Sequence, residues 1–145
     1  MYKHILIATD GSELAKNAVD HGLALAKAHG AKATVVTVTE PWDVVVVPEA
    51  AVVFPPLDYE ESAAAGAAKI LAGVNATASK IGMACEILHV KNRFPAEGIV
   101  ETAKEKGCDL IVLASHGRRG LRRLVLGSVA NEVVAHNTIP VLISR

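Results

Sequence analysis

The sequence predicts an α/β fold built on an open five-stranded parallel sheet, with helices on both faces. Short β-branched and aliphatic runs alternate with segments of helical period, which implies right-handed crossovers between parallel strands. Hydrophobic residues make up 51% of the chain and aromatics only 3%, so Ala, Val, Leu and Ile build the core and Ala-lined helices lie close to the sheet. A length of 145 residues suits one domain spanning 1–145.

Lys3 to Thr9 reads as a buried strand, stopped by Asp10-Gly11-Ser12 and followed by a helix. Ala15, Ala18, Val19, Gly22, Leu23 and Ala26 recur at helical spacing, and Gly30 stands at the C-terminal glycine position. Ala33 to Thr39 is a second buried strand. Residues 40–57 hold four of the six prolines and the run Val44 to Val47 without a steady period. That stretch reads as an excursion over the strand ends, either a lid or contact surface or a passive apolar loop. An Ala-rich helix from Asp58 to Gly82 carries Ala67, Ile70, Leu71, Val74, Ala78 and Ile81 on one face. Cys85 to Val90 is the third strand. Pro95 opens a helix that Gly107 closes, Asp109 to Ala114 is the fourth strand, a helix starts near Ser128, and Pro140 to Ser144 is the fifth strand.

Composition narrows the function. Fifteen basic and fifteen acidic residues cancel, so the chain lacks the field of a general nucleic-acid or anionic-membrane binder, and a small partner is expected. Cys85 and Cys108 have no CxxC spacing and read as free thiols near sheet edges, supporting neither zinc nor a disulfide framework. The opening MYKHILIATDGS is neither a signal peptide nor a membrane span, so the expected compartment is the reducing cytosol.

In parallel sheets, ligands bind beyond the carboxyl ends of the strands, where the strand order reverses. With the first and fourth strands adjacent, that crevice lies between Asp10 and the loop after Ala114. This loop reads ASHGRRGLRRLVLGS from Ala114 to Ser128. Gly117, Gly120 and Gly127 are expected to permit positive φ and close backbone approach. Gly127-Ser128 opens the last helix, whose free amides and dipole suit a phosphate group. Ser128 offers a hydroxyl to a phosphate oxygen or caps its own helix. The loop is not GxxxxGK[ST], and no GxGxxG follows the first strand, which argues against a standard P-loop NTPase and a dinucleotide enzyme.

These segments together are specific. HILIATDGS, CDLIVLASHGRRG and LGSVANEVVAHNTIPVLI resemble the universal stress protein family, and the similarity covers all but the 40–57 excursion. The family's ATP-binding branch carries G-x2-G-x9-G-[ST]. Here that pattern falls on Ala114, Gly117, Gly127 and Ser128, with Ala114 in place of the first glycine. The resemblance implies a Rossmann-like sheet in the order 3-2-1-4-5. It implies an ATP site contacted by Ala8, Thr9, Asp10, Val38, Ala114, His116, Gly117, Arg118, Gly127, Ser128 and Val129. Asp10 would approach ribose, phosphates or Mg²⁺, and main-chain groups of Val38 would meet the adenine edge. It also implies a homodimer through the last strand.

Several roles stay open in the sequence. Asp10 either serves the ligand or caps the first helix. Arg118, Arg119, Arg122 and Arg123 either attract triphosphate or form a solvated basic face. His116 meets phosphate or is a hydrogen-bonding loop residue. The Ala114 methyl either tolerates the nucleotide or crowds it. A regulatory nucleotide switch is the leading reading, before a slow ATP-hydrolysing or nucleotidyl-transfer enzyme and a nucleotide-free dimeric scaffold.

Overall fold

The computed structural model describes residues 1–42, 56–117 and 125–145. Most of the 40–57 excursion, together with Arg118, Arg119, Gly120, Arg122 and Arg123, lies outside the described residues. The elements are β1 (His4–Ala8), α1 (Glu13–His29), β2 (Lys32–Thr39), α2 (Pro56–Lys80), β3 (Glu86–Lys91), α3 (Pro95–Glu105), β4 (Leu110–Ala114), α4 (Ser128–Ala135) and β5 (Val141–Ser144). The strands form one sheet in the order β3-β2-β1-β4-β5, every pairing parallel.

Alternate residues of each strand face opposite helical layers. Ile5, Ile7, Val35 and Val112 pack with Leu23 and Ala26 of α1 and Val74 and Ala78 of α2. Leu6, Ala8, Val36, Ile111 and Leu113 pack with Ile99 and Val100 of α3 and Ala130 and Val133 of α4. Two buried faces demand runs of continuous apolar sequence, as in residues 5–8 of β1 and Leu110–Ala114 of β4, while β2 buries Thr34 and Thr37 beside its valines. Each fully buried Ile or Leu stabilises the fold by about 1.5–3 kcal/mol relative to exposure. Small residues set the spacing: a Cβ on Gly22 would stand 2.6 Å from Cδ1 of Ile7.

Local chemistry fixes the element ends. Ser12, not Asp10, is the N-cap of α1, its hydroxyl accepting from the Ala15 amide at 3.2 Å. Gly30 takes φ 63° at the C-cap, and its amide meets the last carbonyls of the helix. Pro95 occupies the first turn of α3.

The cysteines only partly follow the sequence reading. Both are free, and Cys85 precedes the edge strand β3. Cys108 precedes β4, one strand in from the edge, and is buried in the α3–α4 core. Burial first, then the charges of Asp109 and Glu86, push its thiol up to about 11, so it stays protonated at neutral pH. Among the described residues no helix is long and apolar enough to cross a membrane.

Candidate functional site

The chain leaves β1 towards the α1–α2 layer and leaves β4 towards the α3–α4 layer. The two central strands therefore part at their carboxyl ends, and a cavity of about 700 Å³ opens there. That volume is typical of a small-molecule site. Ala8, Thr9, Asp10, Val38, Ala114, His116, Gly117, Gly127, Ser128 and Val129 all line it. Arg118 completes the set expected from sequence and lies outside the described residues.

The turn after β1 is held by its own side chains. The Thr9 amide donates to the Val36 carbonyl at 2.9 Å, extending the ladder one residue beyond β1. The Gly11 amide then donates to Thr9 Oγ1 (3.2 Å), and the Ser12 amide to Asp10 Oδ1 (2.9 Å). Asp10 is thus oriented by an Asx turn, while Ser12 does the capping. The other carboxylate oxygen faces Gly117, where a Cβ would approach Asp10 Oδ2 to 2.6 Å.

This departure of β1 also exposes Val38. Val36 turns its carbonyl towards β1, and in a parallel ladder every second residue points the same way. Val38 accordingly aims its amide and carbonyl at the side that β1 has vacated. One donor and one acceptor side by side can read the edge of a planar base. The Val38 side chain points to the other layer, close enough to α3 that a Cβ on Gly98 would lie 3.0 Å from it.

On the β4 side, the loop returns to its own start. The Gly127 amide donates to the Ser115 carbonyl at 2.7 Å, and the Ser115 amide donates to the Ser144 carbonyl at 2.8 Å. His116 Nδ1 shares a 3.2 Å hydrogen bond with Ser115 Oγ, the loop-bonding role. Gly127 is the N-cap of α4 and provides no side-chain cap. By helix geometry the amides of Ser128, Val129 and Ala130 have no intrahelical acceptor. They lie at the cavity wall with the positive end of the helix dipole. Ser128 sits one position inside the helix, so its hydroxyl is not the cap.

The glycines matter for a different reason from the one expected. Gly127 has φ −62°, and Gly117 is also outside the left-handed region. What they supply is room: a Cβ on Gly127 would sit 2.9 Å from the Ser115 carbonyl and 3.2 Å from His116 Cα. Ala114, in turn, packs its methyl against the α1–α2 core cluster.

One wall of the cavity was missed from sequence. The first half of α2 contributes Tyr59, Ser62, Ala63, Gly66 and Ala67. The available signal was the small-residue run from Ser62 to Ala68, which thins the helix where it passes the cavity. A Cβ on Gly66 would meet nothing within 4 Å. Among the described lining residues, the carboxylates are Asp10 and Glu40 and no Lys or Arg is present. No group of three His, Cys, Asp or Glu side chains that could hold a metal occurs among the described residues.

A family model described as "Universal stress protein family" matches residues 1–145. The chain belongs to the universal stress protein family. Universal stress protein YxiE of Bacillus subtilis is 34% identical over 153 residues, with both chains fully covered. Universal stress protein MJ0531 of Methanocaldococcus jannaschii is 33% identical over 147 residues, covering all of this chain and 83% of the relative. Among solved structures, protein MJ0577 superposes with a TM-score of 0.83 at 27% identity, covering 99% of this chain and 96% of the other. A universal stress protein in complex with cAMP superposes with a TM-score of 0.70 at 28% identity, covering 99% and 97%. The sheet order of this universal stress protein is the one the resemblance implied, and its two helical layers are those the alternation of strands and helices predicted.

Proposed function

We propose that this universal stress protein binds ATP at the carboxyl ends of β1 and β4 and acts as a nucleotide-dependent regulatory switch. The observation that carries this reading is the uncapped start of α4 opening onto a cavity whose other side presents the Val38 main chain. The amides of Ser128 and Val129 hold the phosphates, assisted by the dipole of α4. Val38 pairs with the adenine edge, Ala8, Thr9 and Ala114 form the floor, His116 and Gly117 flank the phosphates, and Arg118 joins the contacts as the family resemblance implies. The nucleotide complex of a relative 28% identical to this chain supports the ligand class.

Asp10 suits either a ribose hydroxyl or Mg²⁺. A single fixed carboxylate is a common protein contribution to a cation that takes its remaining ligands from phosphates and water. Bound Mg²⁺ would neutralise phosphate charge there.

Nucleotide released from the purified protein by denaturation, identified by mass spectrometry, is expected to be ATP or its hydrolysis products. Calorimetry on the emptied protein should give saturable ATP binding. The absence of both an extracted adenine nucleotide and a binding isotherm would overturn the reading. For the switch, ATP should protect the 118–123 arginines from trypsin, and an unchanged cleavage pattern at saturating ATP refutes that part.

A further inference from the structure

The two ends of the cavity differ in chemistry. One end offers the α4 amides and Asp10. At the other, Tyr59 reaches from α2 to the end of β2, where its hydroxyl donates to the Glu40 carbonyl at 2.8 Å. The Tyr59 and Trp42 rings are 5.1 Å apart, inclined at 55°. This is a favourable tilted contact. Tyr59 borders both the main cavity and a small hollow near His89, as do Thr39, Glu40 and Ala63. The chain has five aromatic residues of the Phe, Trp and Tyr types, and two of them meet here.

We propose that Tyr59, backed by Trp42, is the aromatic surface against which the nucleotide base packs, and that it gives this site its preference for a base-bearing ligand over phosphate alone. The inference rests on the nucleotide reading above and adds a residue pair to it. A ligand anchored by phosphate at α4 extends away from Asp10, and the base arrives where the Val38 main chain and Tyr59 meet. The hydrogen bond to Glu40 fixes the Tyr59 ring before the ligand enters, which lowers the ordering cost on binding. Ala63 and Gly66, one and two turns further along α2, leave room beside the ring.

The test compares wild type, Tyr59→Phe and Tyr59→Leu as full-length chains, with ATP affinity from calorimetry and folding from thermal melts. Base–aromatic stacking predicts that Tyr59→Leu loses roughly five- to a hundredfold in ATP affinity. Tyr59→Phe keeps the ring and loses the hydroxyl, so it should stay within about threefold of wild type. If the residue merely ties α2 to β2, Tyr59→Phe falls as far as Tyr59→Leu, and the proposal is wrong. Wild-type affinity in a folded Tyr59→Leu also overturns it. Trp42 is the chain's single tryptophan, so its emission should change on adding ATP and much less so in Tyr59→Leu. A wild-type chain that does not bind ATP removes the nucleotide reading itself, an outcome distinct from binding that ignores Tyr59.

Discussion

The Gly127 amide donates to the Ser115 carbonyl at 2.7 Å, so the segment that leaves β4 is closed at its base by one hydrogen bond. This closure positions the start of α4 over the cavity. A side chain at 127 would be driven into the Ser115 carbonyl and His116 rather than into the phosphate position. Gly127→Val should therefore act by opening the loop base. The expected result is loss of at least tenfold in ATP affinity together with about 1–3 kcal/mol of stability. Calorimetry and a denaturant melt on the same variant check both parts, and unchanged stability would contradict this geometry.

Gly22 and Gly73 make a paired test of close packing. A Cβ at Gly22 would stand 2.6 Å from two side-chain atoms of fully buried Ile7, while one at Gly73 would meet nothing within 4 Å. Gly22→Ala should destabilise by about 1–3 kcal/mol, offset in part by better helix propensity. Gly73→Ala, in an exposed helical position, should stabilise by about 0.5–1 kcal/mol. Opposite shifts in melting temperature are the expected outcome.

Much of this was legible because the core is simple. Continuous apolar runs such as Ile5 to Ala8 need burial on both faces, and that requirement dictates a parallel sheet covered by helices. Ala15, Ala18, Leu23 and Ala26 carry the helical period plainly. The lining residues on the β1 and β4 ends were legible too, since glycine and small polar residues at strand ends mark a crevice. Two things were not. The steric role of Gly117 and Gly127 depends on Asp10 and Ser115, residues remote along the chain from one or the other. The α2 wall depends on how a uniform Ala-rich helix is rotated and seated, and composition that uniform carries little phase information.

At the opposite end of the sheet, Asp109 receives the amides of Lys3 (2.8 Å) and His4 (3.1 Å), clasping the start of β1 to β4. Partial burial pushes this carboxyl up, but hydrogen bonds from the amides of Lys3, His4 and Asp109 itself, with the charge of His4, outweigh it and hold it below the usual carboxylate range. A folded-state value below the unfolded one adds stability above the unfolded pKa, near 4. That stability is lost as pH falls through the folded value. Asp109→Asn should lower the melting temperature at pH 7 and flatten its decline below about pH 4. A variant whose acid limb matches wild type would show the clasp to be energetically silent.

Chemistry separates a switch from an enzyme. Stoichiometric protein with ATP and Mg²⁺ should leave most of the nucleotide intact over many minutes, against the common enzyme median of about 10 per second. Chromatography of the nucleotide over time gives the answer. Steady turnover that disappears in Asp10→Ala would favour the enzymatic alternative.

The last prediction is a homodimer along β5. This strand is an edge of the sheet. The Ile111 amide donates to the Pro140 carbonyl and the Ser115 amide to the Ser144 carbonyl, so even-numbered residues of the strand face β4. Val141 and Ile143 must then turn their amides and carbonyls to the open edge, a liability unless another strand covers it. Their side chains pack on the α3–α4 core, whereas Leu142 points to the other face and is 41% exposed. Pairing with β5 of a twofold-related copy satisfies the outward main chain and brings two Leu142 side chains to one interface. Light scattering at micromolar concentration should give twice the 15.2 kDa chain mass. Leu142→Glu should shift the population to monomer through like-charge repulsion, with ATP affinity held within about twofold, because Leu142 does not line the cavity. A 15.2 kDa species in the wild-type chain rules the dimer out. A Leu142→Glu chain that remains dimeric moves the interface away from this strand.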